Sequence, residues 1–196
     1  MALSKIKSTS LETDAGSFNL IESTSGTDLS SISSLDIDLP DTYKSFKLNI
    51  HLKPETNNAH VHFRLSSDGG SSFHSASDTY SYAMGMIFNS TDDNIDVEQS
   101  GASTYIFLSK GIGNATNNPQ AFNATMFFRP IHTESSKKQT NQVSWQGTRV
   151  TDTNDTIYTH GTGRLRATDS LKADACRFFF SSGNVEEYFY HLWGEK

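Results

Sequence analysis

The sequence predicts an all-β protein, an antiparallel β-sandwich of jelly-roll type with about eleven strands. Ser, Thr and Asn, with 28, 20 and 13 residues, make up about a third of the 196-residue chain. Thr favours strands, whereas Ser and Asn favour turns. Thirteen Phe, seven Tyr and two Trp supply large apolar side chains for one sizeable core. Short runs of alternating apolar and polar residues recur along the chain without intervening helical patterns.

The chain is expected to consist of a short N-terminal arm and one domain. Residues 1–17 contain Ser, Thr and Gly among a few apolar residues, and we expect them to form an extended arm that packs on a neighbouring subunit. No linker or change of composition interrupts residues 18–196, which predicts a single β-sandwich domain. The first strands of this domain are expected at 18–24 and 29–38.

The most regular alternation in the chain lies in the next two strands, 45–52 and 59–65. Each has an apolar side chain at every second position, and the polar segment 53–58 joins them. Strict period two indicates strands with one buried face. We therefore predict an antiparallel hairpin whose register pairs Ile50 with Val61, since a slip of one residue would expose the apolar face.

Seven further strands are expected from similar patterns, at 81–88, 103–109, 121–129, 142–150, 156–166, 175–181 and 187–193. The last two flank Ser181-Ser182-Gly183-Asn184, a turn sequence that predicts a closing hairpin. Its apolar strands are costly to expose, so the hairpin should be built into a sheet. Residues 168–174 have room for one helical turn.

Charge and composition exclude several classes of function. The net charge of -6 argues against duplex DNA or an anionic membrane as partner, because both attract basic surfaces. No apolar run approaches the roughly 20 residues of a membrane span, and the first residues lack a signal-peptide core. The single Cys176 excludes an intrachain disulfide, and its place among phenylalanines indicates a buried, inert thiol. We expect synthesis in a cytoplasm.

The segment Ser66-Ser67-Asp68-Gly69-Gly70-Ser71-Ser72-Phe73 resembles the Asp-box pattern of sialidases and other β-proteins. Asp68 is expected to accept hydrogen bonds from backbone N–H groups of its own turn. Gly69 or Gly70 should adopt positive φ, and Phe73 should anchor the turn to the core. In the families that carry this pattern it stabilises the fold away from the active site. We therefore interpret it as a structural turn.

Three histidines, His51, His60 and His62, are expected on the outer face of the predicted hairpin. His60 and His62 form a His-x-His pair, a spacing that can place two imidazoles on one metal ion. No acidic or fourth ligand is identifiable near them. A solvated or inter-subunit polar face is therefore the preferred interpretation, with these three histidines as weak metal candidates and no metal predicted.

The sequence contains no catalytic signature. A Gly-x-Ser-x-Gly elbow, a His-Glu-x-x-His motif, a Walker loop and a dinucleotide fingerprint are all absent. We therefore predict no enzymatic activity, no catalytic residues and no cofactor.

Aromatic side chains at the edges of loops are the natural platforms for a sugar. Tyr80, Tyr82, Tyr105, Trp145 and Tyr158 are the candidates, and packing in the core is the alternative role for each. Trp145 has polar neighbours in the sequence. For this reason it is the candidate residue for glycan binding.

Three parts of the chain resemble one family of β-rich virion proteins of tailed, mostly marine, bacteriophages. They are the opening Met1–Leu11, the strand–strand–Asp-turn block Tyr43–Phe73, and the end from Gly161 to Gly194. Residues 85–160 match this family only in style. Glu186-Glu187-Tyr188 stands where the family often has a glycine, and Trp193 where it often has a tyrosine.

This resemblance implies a non-enzymatic structural protein of the virion. We expect a subunit of a tail fibre or other receptor-binding appendage that assembles as a homotrimer. Its other expected partners are further virion proteins and host-surface glycan. One alternative is a capsid decoration (cement) protein with the same fold. An alternative of another class is a glycan-cleaving depolymerase, which would need paired carboxylates in a groove.

Overall fold

The computed structural model describes residues 17–27, 32–88, 95–114, 120–131, 140–151, 153, 155–166 and 172–196. These residues form twelve strands: β1 (Phe18–Gly26), β2 (Ser34–Asp38), β3 (Ser45–Pro54), β4 (Ala59–Ser66), β5 (Tyr80–Phe88), β6 (Ile95–Ser103), β7 (Ile106–Ile112), β8 (Phe122–Arg129), β9 (Gln142–Val150), β10 (Thr156–Leu165), β11 (Ala175–Phe180) and β12 (Val185–Glu195). No helix occurs among them, and hence none that could cross a membrane. The expected N-terminal arm lies outside the described residues, except for Ser17.

The strands form two packed antiparallel sheets. Sheet A has eight strands in the order β1-β12-β3-β8-β9-β10-β5-β6, and sheet B has four in the order β2-β11-β4-β7. Every strand pair is antiparallel. The structure therefore confirms the predicted all-β sandwich, while the jelly-roll topology stays a prediction.

The predicted pairing of Ile50 with Val61 is wrong. β3 pairs with β12 and β8 in sheet A, whereas β4 pairs with β11 and β7 in sheet B. The connection between β3 and β4 therefore crosses from one sheet to the other, and Asn58 adopts a positive φ of 58° in it. The alternation itself was interpreted correctly, because the apolar sides of both strands are buried.

The predicted closing hairpin is also wrong, because its two strands lie in different sheets. β11 lies in sheet B between β2 and β4, and β12 lies in sheet A between β1 and β3. The segment Ser181–Asn184 joins the two sheets, with Gly183 at a φ of 68°. Both strands are built into sheets as expected, but not into the same one.

The sequence pattern does not predict β6, because its alternation is inverted. Ile95 and Val97 face solvent, while Asp96 and Glu98 are half-buried on the inner side. β6 is the last strand of the wider sheet, so its inner side meets Lys110 of β7 instead of the core. The Lys110 ammonium lies 3.0 Å from Asp96 and also forms an ion pair with Glu98.

The core lies between the two sheets and consists of the inward-facing side chains of both. Phe63 of β4 is fully buried, and its ring centroid lies 5.5 Å from that of Phe128 in sheet A and 5.1 Å from that of Phe178 in sheet B. Cys176 is also fully buried in this cluster. Burial raises the pKa of its thiol well above the usual value, which keeps it uncharged and unreactive.

Candidate functional site

The large apolar side chains that the described residues leave exposed share one surface. They are Phe18, Leu20, Ile87, Ile95, Val97, Phe127, Tyr158 and Phe189. All belong to strands of sheet A, and they alternate along those strands with side chains that face the core. They therefore lie on the outer face of sheet A, which we call the A face. Clustered apolar exposure of this kind marks an interaction surface.

The strand register places the A-face residues in rows that run across the sheet. One row contains His191, Asn49, Thr125, Gln146, His160 and Gly85. The next contains Phe189, His51, Asn123, Thr148, Tyr158 and Ile87. Amide and hydroxyl side chains thus occupy the centre of the face, between aromatic side chains on β12 and on β10.

One depression on the A face has a volume of 720 Å³ and lies over β8, β9, β10, β5 and β6. Tyr158 and His160 lie side by side in it, with ring centroids 5.6 Å apart and planes inclined by 30°. The imidazole of His160 covers Gly85, where a Cβ atom would lie only 2.9 Å from it. Gly85 therefore lets the ring lie flat on the sheet, and Tyr158 with His160 forms an aromatic platform.

A second depression of 470 Å³ adjoins the first and is lined mainly by polar side chains. Nδ1 of His51 lies 2.8 Å from Oδ1 of Asn123, and the hydroxyl of Thr125 donates a 3.0 Å hydrogen bond to Oδ1 of Asn49. Gln146 lines both depressions. Aromatic rings beside a few fixed amide and hydroxyl groups suit a ligand that has both apolar and hydroxylated faces.

Trp145 is not the exposed platform that the sequence suggests. It is 3 % exposed, and its indole Nε1–H donates a 3.1 Å hydrogen bond to the backbone oxygen of Leu108 in β7. Its ring packs on Gly161, where a Cβ atom would lie 2.3 Å from the ring. Its polar sequence neighbours Ser144 and Gln146 face outward because successive strand residues alternate. Tyr158, also a sequence candidate, occupies the position on the A face instead.

The three candidate metal ligands do not come together. His51 lies on the A face, whereas His60 and His62 lie on the outer side of sheet B. Nδ1 of His60 accepts a 2.8 Å hydrogen bond from the backbone N–H of Gly111. The described residues contain no cluster of three His, Cys, Asp or Glu side chains that could hold a metal ion.

His62 is buried in an aromatic cluster on sheet B. Its ring stacks on Tyr105 with centroids 3.9 Å apart and also contacts Phe107 and Phe179. Its Nε2 atom is buried without a hydrogen-bond partner. Burial, with a smaller effect of His60 and Arg64, lowers the pKa of His62 to about 4.

We expect His62 to make the protein acid-sensitive. The unfolded chain binds this proton near pH 6.5, but the folded chain binds it only near pH 4. This contribution to stability is complete above pH 6.5 and is lost as the pH falls towards 4. The slope of the free energy of unfolding against pH corresponds to at most one proton per molecule. His62→Phe should flatten this part of the stability profile, measured by urea unfolding from pH 7 to 4. His60, whose pKa is also lowered by burial and by Arg149, would retain a smaller slope. An unchanged profile would contradict this assignment.

The Asp68 turn is closed by its own side chains. The backbone N–H and hydroxyl of Ser72 donate hydrogen bonds of 2.9 and 2.5 Å to the Asp68 carboxylate, and the hydroxyl of Ser66 donates one of 2.8 Å. Gly69 and Gly70 adopt φ values of 68° and 77°. These hydrogen bonds, from Ser72 first, lower the pKa of Asp68 to about 2.

Phe73 does not anchor this turn in the core. It is half-buried and lies under the guanidinium of Arg177, with 4.0 Å from Cζ to the ring centroid. The preceding turn lifts Phe73 onto the outer side of sheet B, where a cation–π contact replaces core packing.

Asp68→Ala is expected to lower the melting temperature by roughly a few degrees, because two donors of Ser72 lose their acceptor. Asp68→Asn keeps an acceptor oxygen and should lower it less. The turn follows β4 of sheet B, whereas the A face is the outer face of sheet A, so ligand binding by the folded protein should not change. Lost binding at full thermal stability would show that Asp68 acts on a ligand.

Comparison with known proteins gives no relative on which to base a function. No protein-family model matches the chain, and neither a curated protein nor a solved structure matches it.

Proposed function

We propose that the protein is a non-enzymatic virion structural protein of a tailed bacteriophage, a subunit of a tail fibre or receptor-binding appendage. In this proposal the A face binds glycan on the host surface. The single observation that carries the binding role is the Tyr158–His160 platform beside the amide and hydroxyl rows. The virion role depends on the resemblance of the segments 1–11, 43–73 and 161–194 to phage proteins.

Binding without cleavage is favoured by the side chains that line the two depressions of the A face. Glycoside hydrolysis ordinarily needs two carboxylates on either side of the scissile bond. Among the described residues that line these two depressions there is no aspartate or glutamate. This observation favours an adhesin over the alternative of a depolymerase.

Self-association is part of the proposal, and both edges of sheet A offer surfaces for it. In the described residues, β1 pairs only with β12 and β6 pairs only with β5. Leu20 on β1 and Ile95 on β6 are 55 % and 70 % exposed. A contact between β1 of one subunit and β6 of the next is heterologous, and such contacts form a ring when the rotation between subunits closes after a whole number of copies. Several weak glycan sites on one ring would bind with avidity.

We expect light scattering at micromolar concentration to give three times the subunit mass of 21.7 kDa. Val97→Lys would place a charge at the β6 edge and should shift the protein towards the monomer. A wild-type monomer would contradict the fibre proposal. It would favour a cement protein, because such a protein can remain a monomer until it binds the capsid.

The cement alternative draws on the same exposed apolar side chains of β6, Ile95 and Val97. They would then contact capsid subunits, and the A face would bind no glycan.

The proposal is tested by binding to immobilised polysaccharides and to bacterial cells. The panel contains dextran, laminarin and mannan as neutral polymers, and alginate, polygalacturonate and hyaluronan as acidic ones. Purified protein should bind at least one polymer and the cells of its host, compete with phage adsorption, and release no reducing sugar. Binding to emptied capsids without binding to any cell or polymer would overturn the adhesin proposal, and release of sugar would favour the depolymerase.

A further inference from the structure

The six strands β3, β8, β9, β10, β5 and β6 give their part of the A face a different charge from the chain as a whole, whereas β12 carries Glu187 and Glu195 on that face. The chain has a net charge of -6, yet the outward positions of β3, β8, β9, β10, β5 and β6 include no described aspartate or glutamate. The same positions carry Lys53, which pairs with Glu186, and three further cations, Lys47, Arg129 and Arg164. None of these three cations has an ion-pair partner among the described residues. A cationic region on an acidic protein attracts anionic ligands.

Two of these cations lie in one row at the end of the face. The register pairs Arg129 of β8 with Gln142 of β9, and Gln142 with Arg164 of β10. The backbones of β8 and β10 are two strand spacings apart, roughly 10 Å, and both arginines are exposed. Two extended guanidinium groups can therefore approach one anionic group above Gln142.

Arg164 is partly fixed in place by a neighbouring strand. Its Nε–H donates a 3.0 Å hydrogen bond to Oγ of Ser81 on β5. In the part of the chain that the structure describes, the terminal nitrogens of the guanidinium have no partner, and this planar fork matches a carboxylate or sulfate group. The nearest carboxylate in the row is Glu195 on β12, which accepts a 2.5 Å hydrogen bond from Ser45.

The arginine row is continuous with the aromatic platform. Thr162 lines both the depression that holds Tyr158 and His160 and a smaller one of 360 Å³ that Arg164 borders. Along β10, His160 and Arg164 are four residues apart, or roughly 13 Å. A ligand that contacts both must therefore be an oligosaccharide rather than a single sugar.

We infer that the ligand of the A face is an anionic polysaccharide, whose carboxylate or sulfate groups are bound by Arg129 and Arg164 while a neighbouring sugar ring stacks on Tyr158 and His160. This inference depends on the proposed glycan binding and adds the chemical class of the glycan.

The test uses the acidic polymers of the panel, together with alginate and polygalacturonate whose carboxylates have been reduced to alcohols. Wild-type protein should bind an acidic polymer at least tenfold more tightly than its reduced form, and added salt should weaken this binding. The double variant Arg129→Gln/Arg164→Gln should lose at least tenfold in affinity for the acidic polymer. Arg129→Lys/Arg164→Lys keeps the charge without the fork and should lose less.

Arg177→Gln is the matched control, because Arg177 lies on the outer side of sheet B and pairs there with Asp36. It should bind the acidic polymer as the wild type does. Equal binding of reduced and acidic polymers, binding of neutral polymers alone, or full binding by the double glutamine variant would overturn the inference and leave the glycan proposal intact. Binding to no polymer and no cell would overturn both.

Discussion

Replacing Phe63 by alanine is expected to lower the free energy of unfolding by about 3–5 kcal/mol. Phe63 is fully buried at the centre of the sandwich, between Phe128 of sheet A and Phe178 of sheet B. Removing its ring takes contacts from both sheets at once and leaves a cavity that neither sheet can close without moving. Urea unfolding at pH 7 measures the change.

Phe127→Ala is the matched control for this prediction. Phe127 precedes Phe128 on β8 but faces outward and is 43 % exposed, so its loss should cost less than about 1 kcal/mol. A cost below roughly 1 kcal/mol for Phe63→Ala, or equal costs for the two variants, would contradict the assignment of inner and outer faces.

Replacing Tyr158 by alanine is expected to weaken glycan binding at least tenfold, which corresponds to about 1.4 kcal/mol or more. The change removes one ring of the platform and leaves His160 without its stacked neighbour. Tyr158 is 38 % exposed, so the folded state should lose little stability. Titration with the strongest-binding polymer of the panel, together with a urea melt, separates the two effects.

Phe73→Ala tests whether this loss is specific to the A face. Phe73 is a half-buried aromatic residue on the opposite side of the sandwich, so its loss should leave binding unchanged. Equal losses of binding in the two variants would show that the glycan does not bind at the A face, and unchanged binding by Tyr158→Ala would remove the platform from the proposal.

The sequence predicts which side of a strand is buried far better than which strand lies beside it. In β3 and β4 the period-two pattern correctly identifies the apolar sides. An inward-facing strand has the same pattern whether its neighbour in sequence lies in the same sheet or the opposite one. A short polar connection such as 55–58 suits both a hairpin and a crossing between sheets, and only the pairing of β3 with β12, distant in sequence, decides between them.

The candidate site was only partly predictable, because it too depends on neighbours that are distant in the sequence. Tyr158 is among the aromatic candidates, but the polar residues beside Trp145 in the sequence favour Trp145. That argument fails because neighbouring residues on a strand point to opposite faces. His160 carries no signal by itself, because its role depends on Gly85, a cross-strand partner far away in the sequence. The alternation Tyr158, His160, Thr162 along β10, with small residues between, is the one local pattern that could have indicated an outward polar and aromatic face.

The most direct test of the central claim, that the A face is a glycan-binding surface, is a map of the residues that a bound glycan perturbs. Isotope-labelled protein would be titrated with an oligosaccharide cut from the strongest-binding polymer, and the backbone amide shifts followed by NMR. We expect the largest shifts at Gln146, Tyr158 and His160 and at their neighbours on β8, β9 and β10. Shifts confined to β4 and β11 of sheet B would contradict the account.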